Sequence, residues 1–174
     1  MLFQTMTKTA YVALGSNLGD QVQNLKDVVP VLQSLSDGSV TGSSIWASQP
    51  EGFGGPAEEF ANAVIQLQTD LSAVDLLKGL QRIEERYGRD RADVQDAGYQ
   101  PRVMDLDIVA YDSQVLVSPG LTLPHPRAMQ RRFVLLPLQE IAPGFRFPNR
   151  RESLQTLLDQ APENPMRPIT PLIP

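Results

Sequence analysis

FANAVIQLQTDLSAVDLLKGLQRIEERY, residues 60–87, changes its hydrophobic period part-way along, and that change decides the fold class. Over FANAVIQLQT, Ala61, Ala63, Ile65 and Leu67 alternate with Phe60, Asn62, Val64 and Gln66, the two-residue period of a β-strand. Beyond it, Leu76, Leu77, Leu80, Ile83 and Tyr87 share one face of a helix spanning residues 72–87. Ser72 and Asp75 have the S-x-x-D spacing of a capping box at its start.

The same theme extends outward. Upstream, TAYVAL (residues 9–14) is rich in β-formers and stops at GSNLGD, a turn cluster. Asp20 can cap the helix that follows, whose apolar residues are Val22, Leu25, Val28, Val29, Leu32 and Leu35, with Gly38 as its stop. Pro30 lies inside this pattern and predicts a kink or break. Residues 39–48 alternate weakly as a strand, then QPEGFGGPAEE marks a loop. Downstream, GRDRADVQDAGYQP is a polar stretch of fourteen residues without apolar period, a length that is usually functional or mobile. VMDLDIVAY reads as a strand, Asp112-Ser113 signals a hairpin before QVLV, and LTLPHP is a turn. RRFVLLPLQEIAP is predicted helical up to its prolines, FRF is a short element, and residues 153–160 suit a helix. The Pro-rich tail, residues 161–174, is predicted to lack regular structure. The order β, α, β, β, α, β predicts an α+β, ferredoxin-like sandwich, an antiparallel sheet with its helices clustered on one face. A single domain with a core over about residues 9–160 is expected.

Composition narrows the function. The chain has 174 residues, 41% hydrophobic and 20% charged, with no run near the ~20 apolar residues of a membrane span. Its N-terminus, MLFQTMTKTA, has no apolar core, and the chain has no cysteine, so a cytoplasmic protein is expected. The net charge of −5 argues against nucleic-acid or anionic-membrane partners. Lys8, Lys26 and Lys78 are the only lysines against twelve arginines, eight of which fall between Arg82 and Arg132. Arg82 and Arg86 read as decoration of a helix face. The others suggest a local anion site, because the guanidinium fork suits phosphate and carboxylate.

QPRVMDLDIVAYD, residues 100–112, carries the chemistry. Alternation puts Asp105 and Asp107 on one face with Val103, Val109 and Tyr111, and puts Met104, Leu106, Ile108 and Ala110 on the core face. Two carboxylates ~7 Å apart on a strand repel unless a cation lies between them, and hard oxygen ligands suit magnesium. The plainer alternative is a surface ion network with Arg102 and Arg131. Arg89, Arg91, Arg102, Arg131 and Arg132 nearby tilt the pattern toward a magnesium site ringed by phosphate-binding forks. GSNLGD lacks the G-K-[ST] ending of a P-loop. His125 is the only histidine, which removes zinc clusters; on general grounds it is a packed loop residue. Asn62, polar within a strand, could read a heterocycle or satisfy nearby backbone.

The ordered set YVALGSNLGD, S-x-x-W-x-S-x-P, FANAV, QRIE with GRDR, PRVMDLDI, LTLPHPR and RRFVLLPLQEIAP, over roughly residues 11–148, resembles the 6-hydroxymethyl-7,8-dihydropterin pyrophosphokinase family of folate biosynthesis. The resemblance implies a ferredoxin-like fold and transfer of the β,γ-diphosphate of ATP to the pterin's hydroxymethyl oxygen, releasing AMP. It implies two magnesium ions, with ATP as co-substrate, held by Asp105 and Asp107. Gln81, Glu84 and Ile108 would lie near the nucleotide, Arg89 and Arg91 on a loop closing over ATP, and Tyr99 as its aromatic. Arg102, His125 and Arg131 would contact phosphates, with Arg89, Arg91 and Arg102 serving catalysis. The pterin would lie between Phe60 and Phe133, read by Asn62, with further contacts at Ser48, Pro50, Glu51 and Asp105. A monomer is implied. The sequence departs from the family in reading Tyr99-Gln100-Pro101-Arg102 where an aromatic-Gly-Pro-Arg is common, in a longer stretch over residues 88–101, and in Gln49 where proline is frequent. Two other readings remain open at this level: a magnesium-dependent transferase acting on another acceptor, and a ferredoxin-like binding module whose aspartates only pair with arginines.

Overall fold

The computed structural model describes residues 6–51, 58–88 and 101–174. The first half runs β1 (Lys8–Ser16), α1 (Gln21–Gln33), β2 (Thr41–Gly42), β3 (Ser44–Ser48), β4 (Phe60–Thr69), α2 (Ala73–Arg86) and β5 (Asp105–Tyr111). Beyond these lie β6 (Leu116–Ser118), β7 (Leu121–Leu123), α3 (Arg132–Ile141), α4 (Leu154–Gln160) and β8 (Met166–Pro171). The main sheet has the order β5-β1-β4-β3-β8, with the short β2 also on β4, and every pairing in it is antiparallel. The two outermost core strands in sequence, β1 and β5, lie side by side, and β4 separates β1 from β3. This is the ferredoxin-like arrangement, in a mixed α/β single domain.

Local chemistry accounts for the helix starts. Asp20 Oδ1 accepts from the Gln23 N–H at 3.1 Å, and Ser72 Oγ accepts from the Asp75 N–H at 3.1 Å. The return half of the expected capping box takes another form, because Asp75 Oδ2 accepts the Ser72 hydroxyl, at 2.7 Å. Leu25, Val28 and Leu32 of α1 and Leu76, Leu80 and Ile83 of α2 pack on Ala10, Val12, Leu14, Ala63, Ile65, Leu67, Leu106 and Ile108 of the sheet. Each such large side chain contributes about 1.5–3 kcal/mol of burial.

Several expectations are corrected. Helices cover both faces of the sheet: α3 and α4 bring Val134, Leu135, Leu138, Leu154, Leu157 and Leu158 against Val64 and Val109, with Phe147 buried among them. The tail is not irregular, because β8 pairs with β3 and Leu172 joins the core. Pro168 and Pro171 are tolerated because β8 is the sheet's edge, where no further strand needs their missing N–H groups. Helix α1 runs through Pro30 and ends at Gln33, before Gly38; burial of Val28 and Leu32 on either side holds that turn in place. Helix α3 likewise continues through Pro137, itself buried, and stops before Pro143. A turn does follow β5 at Asp112, but β6 pairs with β7 and not with β5. Finally, β5 carries a bulge: Tyr11 faces Ala110 while Val12 faces Ile108, so Val109 is an extra residue. The bulge turns Tyr111 into the α1/α2 core, away from the face of the aspartates.

Candidate active site

A cleft of about 650 Å³ opens on the α3 side of the sheet, with β1, β4 and β5 as its floor. Register sets what that floor presents. Gly15 of β1 lies opposite Asn62 on one side and Asp105 on the other, so Asn62, Gly15 and Asp105 form one row across three strands. The next row is Val64, Ala13 and Asp107. Gly15 matters here: with no side chain it leaves the middle of the row open, the nearest atoms to a β-carbon there being Asn62 Oδ1 and Asp105 Cβ. Asn62 is only 5% exposed. Its Nδ2 donates to Ser48 Oγ at 2.7 Å, with longer contacts to the Trp46 and Phe60 carbonyls, while its Oδ1 accepts no hydrogen bond among the described residues. Ser48 therefore orients the amide and leaves an acceptor for a ligand N–H.

Asp105 and Asp107 are both partly buried and both line the cleft. Arg102 Nη1 donates to Asp105 Oδ1 at 3.0 Å, so one half of the ion network considered from sequence exists. Arg131 takes a different partner: its Nε lies 3.3 Å from Glu51 Oε2, and its guanidinium sits over the Phe133 ring, 5.3 Å from the centroid. Arg127 also lines the cleft, which thus gathers three guanidinium groups and three carboxylates with Phe60, Phe133 and His125.

His125 has its ring in the cleft wall. Burial, then the nearby Arg131 and Arg127, hold its pKa below the ordinary 6.5 against a smaller opposing pull from Asp105. The Arg127 N–H donates to His125 Nδ1 at 3.2 Å, which fits a neutral ring whose proton sits on Nε2, a donor for an anion. As pH falls the unfolded chain protonates first, so the stability contributed by the neutral ring is intact above 6.5 and is lost on acidification through the folded pKa. Melting temperatures measured from about pH 7 to about pH 5 should fall less steeply in His125→Gln than in the parent protein. Parallel slopes would contradict this.

Of the residues singled out from sequence, Ser48, Glu51, Phe60, Asn62, Arg102, Asp105, Asp107, His125, Arg131 and Phe133 meet at this cleft. Pro50, Gln81, Glu84 and Ile108 do not line it. Ile108 is buried in the α1/α2 core. Glu84, 1% exposed, accepts the Leu106 N–H through Oε1 at 2.8 Å. It thereby caps the outer edge of β5 between the two aspartates, a structural task not foreseen. Arg89, Arg91 and Tyr99 lie outside the described residues. Gly15, Gln49 and Arg127 line the cleft without having been assigned there. Arg127 was legible as part of LTLPHPR, whereas the place of Gly15 depends on register, which a single strand's sequence does not carry.

Residues 11–143 match the family model described as 7,8-dihydro-6-hydroxymethylpterin-pyrophosphokinase. The chain belongs to that family. Its activity is that of the pyrophosphokinase step of folate biosynthesis, in agreement with the curated relatives. The 2-amino-4-hydroxy-6-hydroxymethyldihydropteridine pyrophosphokinase of Pseudomonas aeruginosa is 38% identical over 160 residues, covering 90% of this chain and 94% of that protein. The enzyme of the same description from Haemophilus influenzae is 37% identical over 166 residues, covering 94% of this chain and 99% of that protein. Among solved structures, a wild-type Plasmodium falciparum HPPK-DHPS superposes with a TM-score of 0.68 at 12% identity, over 88% of this chain and 44% of that one. That likeness concerns the fold of a pyrophosphokinase domain alone, since this chain spans less than half of the Plasmodium chain.

Proposed function

We propose that the single cleft binds both substrates of the pterin pyrophosphokinase reaction, ATP along the Asp105 end and 6-hydroxymethyl-7,8-dihydropterin along the Asn62 end. The observation that carries this is the Asn62, Gly15, Asp105 row. Two strand spacings, roughly 9–10 Å, separate a heterocycle-reading amide from the carboxylates, with an empty middle where a bicyclic ring and its one-carbon arm can lie. Phe60 and Phe133 supply aromatic faces for that ring, Oδ1 of Asn62 accepts from its N–H edge, and Ser48 and Glu51 border it.

The donor set fits magnesium. Asp105 and Asp107 project from one strand face, and no group of three or more His, Cys, Asp or Glu able to hold a metal occurs among the described residues. A pair of carboxylates leaves most of an octahedron to water and phosphate oxygens, the mode magnesium prefers over an all-protein cage. Two magnesium ions held there would neutralise triphosphate charge and polarise the acceptor hydroxyl. Arg102, Arg131 and the Nε2–H of His125 hold phosphate oxygens, and Arg89, Arg91 and Tyr99 take the roles the family resemblance implies. The hydroxymethyl oxygen attacks the β-phosphorus, the bond from that phosphorus to the bridging oxygen of the α-phosphate breaks, AMP departs, and the hydroxyl proton passes to solvent. Neutral His125 is a donor in this scheme, so positioning and charge supply the rate without a side-chain base. Among the described residues no helix is long and apolar enough to cross a membrane. Action as a cytoplasmic monomer is part of the proposal.

The test is to incubate the protein with ATP, magnesium and the reduced pterin and to follow AMP. AMP formed only when pterin is present is the expected result. Magnesium-dependent ATP binding without pterin-dependent AMP would move the assignment to a different acceptor, and binding of neither would overturn it.

A further inference from the structure

We infer that Asn17 is the residue that positions Arg102, so the GSNLGD turn serves phosphate at one remove although it lacks the lysine and hydroxyl of a P-loop. The inference rests on the phosphate role proposed for Arg102. Asn17 follows the last residue of β1 and is 4% exposed. Its Oδ1 accepts the Arg102 N–H at 2.7 Å, and its own N–H donates to the Arg102 carbonyl at 3.0 Å. One buried residue therefore holds both polar groups of the Arg102 backbone.

The location gives this pairing its effect. The β1/β5 ladder ends at Gly15 opposite Asp105, so Arg102 lies three residues outside the sheet and follows Pro101, which has no N–H to contribute. Asn17 extends the contact between the two chains beyond the ladder, with one backbone bond and one to its side chain. With its backbone fixed, Arg102 reaches Asp105 Oδ1 at 3.0 Å and lines the cleft with only its side-chain torsions left to adjust. Nδ2 of Asn17 makes no hydrogen bond among the described residues, so the acceptor Oδ1 is the atom that carries the function. An aspartate can supply the same acceptor.

The experiment is a double-mutant cycle of Asn17→Ala and Arg102→Ala, read by kcat, by KM for each substrate and by melting temperature, with Asn17→Asp as the rescue variant. Asn17→Ala is expected to lower kcat about tenfold with the pterin KM within about twofold, and Asn17→Asp to restore most of the loss. In the Arg102→Ala background Asn17→Ala should cost no further kcat, while its effect on melting temperature persists. A purely structural asparagine would shift melting in the same way but would leave kcat unchanged or carry the same loss into both backgrounds; either outcome overturns the inference. Arg102→Ala without effect on kcat would instead sink the phosphate role of Arg102 and the inference with it. If Asn17→Ala does not fold, Asn17→Ser, whose hydroxyl falls short of the Oδ1 position, enters the cycle in its place with the same expectations.

Discussion

Asp107→Ala is expected to reduce kcat at least about a thousandfold, ~4 kcal/mol of transition-state stabilisation. The effect comes from its position: Asp107 is partly buried on the cleft floor, in the row next to that of Asp105, as the second of the two carboxylates proposed to hold magnesium. Asp105→Ala should lose comparable activity and also remove the carboxylate that the Arg102 guanidinium contacts at 3.0 Å. Steady-state AMP formation across a magnesium titration checks both variants. A kcat for Asp107→Ala within about tenfold of the parent protein would remove the aspartate from the metal site.

Asn62→Ala should raise the dissociation constant for the pterin about a hundredfold, ~2.7 kcal/mol, with the affinity for ATP preserved. The change deletes the acceptor left open to the cleft, and it deprives Ser48 Oγ of the 2.7 Å hydrogen bond that this buried hydroxyl receives. Both losses fall at the same end of the floor row, away from Asp105. Separate titrations of pterin and of ATP distinguish the outcomes: equal weakening of the two would show that Asn62 supports the whole floor and does not read a substrate.

How far the sequence anticipated this site depended on whether the relevant interaction was local. Alternation in FANAVIQLQT and the N-cap at Ser72 are neighbour effects, and both were readable. The spacing of Asp105 and Asp107 likewise put them on one face, as found. Burial around α3 and α4 was not readable in the same way, because RRFVLLPLQEIAP is apolar enough to cover a sheet but nothing in it says which face. The bulge at Val109 escaped for a related reason: a period-2 pattern survives an extra residue only by changing sides, and Tyr111 looks equally at home on either. The tail misled because prolines forbid a central strand and merely tolerate an edge, and edge status is a property of the sheet. Glu84 shows the limit most clearly. A glutamate on an amphipathic helix reads as solvent-facing, yet here its carboxylate is buried against the Leu106 N–H.

That contact also bears on how this enzyme could vary. The start of strand β5 is held from two sides, by the Glu84 carboxylate on the Leu106 N–H and, three residues ahead of the strand, by Asn17 on Arg102. Asp105 and Asp107 thus take their register from Glu84 in α2 and from Asn17 just past β1, as well as from the ladder itself. A single-residue deletion within MDLD itself would exchange Asp and Leu between the two sides of the sheet, and no adjustment of the flanking chain could restore them.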